Sequence, residues 1–399
     1  MGKYIVMDIV FKASSLNYDQ GSGNYQELKK ITRWNGKQYT LVSRYALRYS
    51  ILETLMGISK FKIADGEKMQ LAGDRDNKVI QPAPELLLSG EILKYPEFDL
   101  FGYLITSTDP QNFRTSPVKL SHAISMTPFS YDALFNANLG MANRLRKIYG
   151  DMKPNPFTSE EHETFYIYSI TIDLDKIGKL DLYLKKGGTL KRGHDGKEKW
   201  KIESIEKDGD KIKIKLKEEK KNGREEIIET HASIKVLDLN DKDIYHVVYS
   251  TDDAYEKIET LIKSILNLHR PIKGRDENLS PKLIVLGLYD NAPYKTFKDR
   301  ISLVDEITEE SIDEITETPT KNGKIVKVVH KTVKSTKPKF RIYGLSGETE
   351  HIDEQKIFEK VEKFLKNKNE KEEIHVFKLP EIEVELQEDN TKTPSDVNA

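Results

Sequence analysis

The chain has 399 residues, 37% of them apolar and 32% charged, with a formal net charge of -1, enough for two or three domains or one elaborated domain. It contains no cysteine, which excludes disulfides, thiolate metal sites and thiol nucleophiles. No apolar run approaches the ~20 residues that span a bilayer, and Asp8 comes too early for a signal peptide, so a soluble, cytoplasmic protein without a cofactor is expected.

Tyr4 to Ala13 (YIVMDIVFKA) is rich in Ile, Val and Phe and reads as a buried strand. The loop after it, SSLNYDQGSGNYQELKK, carries Gly21, Ser22, Gly23 and Asn24 as markers of flexibility. A second strand, Gln38 to Val42, leads into a helix whose Leu47, Ile51 and Leu55 recur every four residues as one apolar stripe. Glu97 to Thr106 and Pro117 to Ser125 read as strands. An irregular, proline-containing segment from Met126 to Glu163 ends at another strand, Thr164 to Leu174.

From Glu198 to Thr230, the turn signals Asp208-Gly209 and Asn222-Gly223 flank alternating runs such as KIKIKLK. This predicts an inserted β-meander with one apolar and one lysine-rich face. Thr251 to Leu268 is an amphipathic helix with Ile258, Leu261, Ile262, Ile265 and Leu266 on its core face. Lys282 to Tyr289 is a buried strand, Asp353 to Asn367 a helix, and Glu388 to Ala399 a disordered tail. This order predicts an α+β fold with a split βαβ core.

Charge is segregated along the chain. Between Tyr25 and Ser50, six cations (Lys29, Lys30, Arg33, Lys37, Arg44, Arg48) face Glu27 alone, an excess of five. Asp299 to Thr320 sets eight carboxylates against Arg300, and Lys321 to Arg341 holds eight basic residues and no acidic one. Arg44 and Arg48 begin a helix, where a cation opposes the macrodipole. Ser43 at the cap, the helix N–H groups and the two arginines are together the groups that hold phosphate. A surface helix whose arginines pair with Glu53 or Asp19 is the competing reading. Asn17, Tyr18, Lys29 and Lys30 on the preceding connection favour the first, because cations interleaved with aromatics suit single-stranded nucleic acid. Arg114, Lys119, Arg144, Arg146 and Lys147 add further positive charge.

No nucleophile elbow, HExxH, P-loop or GxGxxG occurs. The SEEHE stretch, Ser159 to Glu163, lacks a second histidine at ligand spacing and reads as a solvated loop. Asp173 and Asp175 form either a metal pair or, more commonly, a strand-ending turn. His122 reads either as the general acid/base of a metal-independent ribonuclease or, more often for a lone strand histidine, as a satisfied core residue.

The ordered set SSLNYD, KK, VSRYALRYSI, FGYLITS…SPVKLSHAIS and FYIYSITIDLDKIG resembles the Cas-seven family, the backbone subunits of type I CRISPR surveillance complexes (Cascade). Within it the chain is most similar to the type I-B, DevR-like branch, over roughly Met1 to Ile177 and again from Tyr245 to Tyr289. The resemblance implies an RRM-like (ferredoxin-like) palm in residues 1–59, 101–125, 164–182 and 241–300. It further implies helical fingers in 60–100, a thumb hairpin in 126–163, an inserted meander in 183–240 and a variable C-terminal region in 301–399.

Relatives grip guide phosphates with a strand-to-helix turn of the form ISSQSLKR. Laid on VSRYALRY, that turn puts the serine on Ser43, the phosphate cation on Arg48, and Tyr45 where relatives have glutamine. An LN pair after the first strand falls on Leu16 and Asn17, with Tyr18 replacing a cation, and Met141 becomes the apolar thumb tip. RNA contacts are thus expected at Asn17, Tyr18, Lys29, Lys30, Ser43, Arg44, Tyr45, Arg48, Arg114, Lys119, His122, Met141 and Arg144. The implied function is non-catalytic: head-to-tail polymerisation along a CRISPR guide RNA that pairs with target DNA. Partners would be further copies, a handle-capping subunit, a large subunit and a processing endonuclease. The alternative is a metal-independent RNA-processing endoribonuclease.

Overall fold

The computed structural model describes residues 2–73, 77–151, 155–220, 222–239, 242–291, 294–319, 325–366 and 372–388. The tail expected from Glu388 lies outside these residues from position 389 on. The fold is mixed α+β, with many strands and few helices.

Its centre is a mostly antiparallel sheet ordered Thr349–His351, Glu373–Lys378, Leu283–Tyr289, Tyr4–Ser14, Glu163–Asp173, Ala123–Ser125, Gln38–Val42, Lys30–Thr32. Val118–Leu120 also pairs with Glu163–Asp173. The first strand pairs along its whole length with Glu163–Asp173, from Tyr4 opposite Asp173 to Ser14 opposite Glu163. On its other edge it pairs with Leu283–Tyr289. The helix Arg44–Ile58 connects the first strand to Val118–Leu120, and the helix Ala254–Leu266 connects Glu163–Asp173 to Leu283–Tyr289. Taken in chain order, these four strands lie fourth-first-third-second, all antiparallel.

The mostly apolar first strand, interrupted by the buried Asp8 and by Lys12, is buried on both faces. Ile5, Met7, Ile9 and Phe11 pack with Leu47, Ile51 and Leu55 of the opening helix and with Leu261, Ile262 and Ile265 of the second. Val10 joins Phe165, Leu283, Val285, Phe340 and Ile342 on the opposite face. Each such fully buried aliphatic side chain is worth about 1.5–3 kcal/mol, so the strand that looked buried in the sequence is anchored from both faces.

A second core lies outside the sheet. The meander strands Glu198–Asp208, Lys211–Glu218 and Glu225–His231 form as the turn signals imply, with Ile212, Ile214 and Leu216 buried. That apolar face packs on Leu86, Ile92, Phe98 and Ile105, so the meander shares its core with the segment between the opening helix and Val118–Leu120.

The Glu97–Thr106 strand is a correction: Pro96 starts a short helix to Asp99, and only Tyr103–Ile105 is extended. Pro117–Ser125 is two short strands, Val118–Leu120 and Ala123–Ser125, interrupted at Ser121 and His122. The acidic and basic stretches are the two strands of one long hairpin, Ile301–Pro319 and Ile325–Tyr343. Its register sets Asp305 opposite Lys339 and Glu317 opposite Lys327. Among the described residues no helix is long and apolar enough to cross a membrane.

Candidate nucleic-acid interface

Two side chains from distant parts of the chain satisfy the helix start at Arg44. Ser43 is the N-cap, with extended backbone, and its Oγ accepts the Ala46 N–H at 3.2 Å. The Ser43 N–H donates to Asn17 Oδ1 at 3.3 Å, which ties the loop after the first strand to the helix. The Arg44 N–H donates to His122 Nδ1 at 2.9 Å. No acidic residue occupies the first turn, so nothing local offsets the arginines or the positive end of the dipole.

Arg44 lies over the exposed Tyr45 ring at 5.0 Å and donates to its hydroxyl at 3.0 Å, while Arg48 lies over Phe101 at 5.6 Å. The Arg44 contact holds the Tyr45 phenol below its ordinary pKa. With Ser116 and Lys119 these residues line a cavity of about 280 Å3. The lining carries three cations and no carboxylate. Glu97, which feels the charge of Arg48, spends its Oε1 on the Ala64 N–H at 2.6 Å.

The core reading of His122 is corrected: the side chain is exposed, beside the start of the helix at Arg44. Partial burial, Arg44 and Lys298 all depress its pKa. At neutral pH the ring is therefore uncharged, with Nδ1 accepting and Nε2–H free to donate. Protonation would set a donor against the Arg44 N–H. Because the folded pKa is the lower one, this stabilisation is complete above the ordinary imidazole value and is lost as pH falls towards the folded value. Ring-nitrogen NMR should show the Nε2–H tautomer and a depressed midpoint that rises when RNA binds; an ordinary midpoint indifferent to RNA would remove His122 from the interface.

The remaining expected contacts divide. Tyr18 has Lys273 over its ring at 3.9 Å, and Arg275 donates to its hydroxyl at 3.4 Å. Lys29 stays near the surface, 3.5 Å from Asp19. Lys30 is committed elsewhere: its side chain is 10% exposed, 2.7 Å from Glu160 and 3.0 Å from Glu27. Arg114 is a correction, since its buried guanidinium pairs with the buried Asp99 at 2.6 Å and cannot reach a polyanion. Met141 and Arg144 stand exposed on the helix Leu139–Tyr149, which buries no residue.

The SEEHE stretch is not a solvated loop. Glu160 is buried, held by Lys30, the Leu28 N–H and the Tyr25 hydroxyl, and Glu161 pairs with Arg275 at 3.3 Å. Asp173 ends its strand with Lys176 at 2.8 Å, and no metal-binding cluster of three or more His, Asp or Glu occurs among the described residues. Sequence reasoning missed the hairpin His269–Ile272 and Arg275–Asn278. Its Arg270 donates to Leu16 O, Ala46 O and Ser50 Oγ at 3.0–3.3 Å, clamping the loop onto the opening helix. The signal available was Lys273-Gly274 inside a basic stretch.

A sequence profile described as "CRISPR-associated negative auto-regulator DevR/Csa2" matches residues 5–312. No curated protein matches the sequence. Among solved structures, the fold has distant likenesses to chains of two complexes titled "CRISPR RNA-guided surveillance complex". One is 8% identical with a TM-score of 0.38, covering 74% of this chain and 73% of that one. The other, a pre-nicking state, is 10% identical with a TM-score of 0.38 and covers 74% and 81%. A "Type IV-B CRISPR Complex" chain is 14% identical over 43% of this chain and 73% of that one, with a TM-score of 0.28. With the profile spanning residues 5–312, the chain belongs to the DevR/Csa2 family of CRISPR-associated proteins.

Proposed function

We propose that this protein is the guide-RNA-binding backbone subunit of a type I, I-B-like Cascade. The carboxylate-free cavity formed by Arg44, Arg48 and Lys119 at a helix start carries this reading. A helix N-terminus, a capping hydroxyl and unpaired cations bind phosphate without reading base edges. A guide of any sequence could then be held, leaving recognition to its pairing with target DNA. The fourth-first-third-second sheet acts as the RRM-like palm, 60–100 as fingers and 126–163 as the thumb. In the thumb region Phe135, Leu139, Met141, Ile148 and Tyr149 are each at least half exposed. Such an unpartnered apolar arm suits a heterologous head-to-tail contact, which builds an open filament. Further copies, a handle-capping subunit, a large subunit and a processing endonuclease would complete the assembly.

Arg48→Ala should weaken single-stranded RNA binding equally across sequences and shrink the slope of log K against log salt by about 0.7. Unchanged affinity and slope at low salt would sink the reading. Purified protein should carry RNA, and its long oligomers should collapse on nuclease treatment. The exposed His122, with one ring nitrogen free, keeps the endoribonuclease alternative specific: precursor cleavage by the wild type that disappears in His122→Ala would favour it.

A further inference from the structure

Trp34 is 92% exposed. It sits at the tip of the hairpin formed by Lys30–Thr32 and Gln38–Val42. An indole in water forfeits the burial that makes large aromatic rings valuable, and the turn does not need it. The Arg33 N–H donates to Lys37 O at 3.0 Å and the Gly36 N–H to Arg33 O at 2.9 Å. Gly36 takes φ +74°, which glycine adopts without strain. Asn35 accepts the Lys37 N–H at 3.1 Å and donates to the Tyr39 hydroxyl at 3.0 Å. Asn35 and Gly36 therefore build the turn, and the turn holds Trp34 outward. Its chain neighbours at the tip, Arg33, Asn35, Gly36 and Lys37, leave the face of the indole open to solvent.

Beside the ring is a cavity of about 290 Å3 with Arg33, Lys298 and Asp299 in its wall and an apolar floor that includes Met126, Ile301 and Leu303. Lys298 spends its ammonium on neutral acceptors, Ser121 Oγ at 3.0 Å and His122 O at 3.2 Å. His122 in turn accepts the Arg44 N–H with its ring. One residue thus separates the cations of this cavity from those of the strand-to-helix cavity.

We propose that Trp34 is the stacking platform of a second nucleotide subsite, taking an unpaired base of single-stranded nucleic acid while Arg33 meets an adjoining phosphate and Lys298, held by Ser121 and His122, adds its positive charge to the wall. Asp299 can accept an exocyclic amino group of the stacked base. The proposal rests on the backbone reading above: a strand gripped at Arg44, Arg48 and Lys119 would run past His122 to the hairpin tip. Cations around an exposed indole are the composition that sequence-tolerant single-strand binders use, since every base has a π-face.

The chain has two tryptophans, and Trp200 is buried beneath Arg192 and Arg224, so a change in emission on binding reports Trp34. The full chain would be titrated with a fluorescein-labelled oligoadenylate RNA, reading label anisotropy and tryptophan emission together. Saturation should quench total emission by about half, Trp34→Ala should raise the Kd about 10-fold, and Trp34→Phe should recover most of the loss. Binding by anisotropy with unquenched emission and wild-type affinity in Trp34→Ala would overturn the platform while leaving the backbone reading standing. Failure of the wild type to bind at all would overturn both. Quenching in RNA-free protein that follows dimer formation would assign Trp34 to a protein contact and also overturn the proposal.

Discussion

Replacing Asp99 with alanine should destabilise the fold by about 3–5 kcal/mol. The carboxylate is fully buried, 2.6 Å from Arg114 and 2.9 Å from Lys257, whose side chain is also 0% exposed. It accepts the Gly178 N–H as well, at 3.0 Å. Gly178 lies at φ +72°, and a Cβ there would come within 2.8 Å of Ala254, so glycine lets the backbone approach. Lys257 makes two further bonds, to Leu93 O at 2.6 Å and Asp253 at 2.8 Å. Lys257 sits on the helix that packs the first core, and Leu93 lies in the second, so this ion cluster is the joint between them. Removing Asp99 leaves the buried Arg114 guanidinium with no carboxylate and Lys257 with Asp253 alone. Lys257→Met should cost less, because Asp99 keeps Arg114 and the Gly178 N–H while the methionine fills the space. Urea unfolding of both variants tests this; a loss under about 1 kcal/mol for Asp99→Ala would mean the cluster is solvated.

The elements of the first core were readable because burial on the sheet imposes local periods: the Tyr4–Ser14 run and the Leu47, Ile51, Leu55 stripe need no distant information. The cap at Ser43 and the flanking arginines were legible for the same reason. What failed was whatever depends on a partner far along the chain. Arg114 looked like an RNA contact until Asp99 closed on it, and Lys30 until Glu160 did. His122 looked buried because Pro117–Ser125 alternates, yet the strand breaks at Ser121, whose N–H and Oγ both bond Ser169. The long C-terminal hairpin was missed although its signal was present: Asn322-Gly323 between β-branched runs of opposite charge. Trp34 carried no periodic signal, since only exposure distinguishes it.

Removing Arg44, Arg48 and Lys119 together should nearly abolish RNA binding while leaving the fold intact. Three phosphate contacts at about 0.7 each predict a salt slope smaller by about 2, and an affinity lower by at least about 100-fold at moderate salt. Stability should move within about 0.5 kcal/mol, because no carboxylate lines the cavity to be left unpaired. The double variant Arg44→Lys, Arg48→Lys separates charge from geometry: it should keep the salt slope but lose affinity, since an ammonium cannot fork onto two phosphate oxygens or stack on Phe101 and Tyr45 as a guanidinium does. On the backbone reading proposed above, filaments should fail in the alanine variant even though the exposed apolar residues of Leu139–Tyr149 are intact, because each copy loses its grip on the shared RNA. An alanine triple with wild-type salt slope would place the polyanion elsewhere on the molecule, however complete the cavity is.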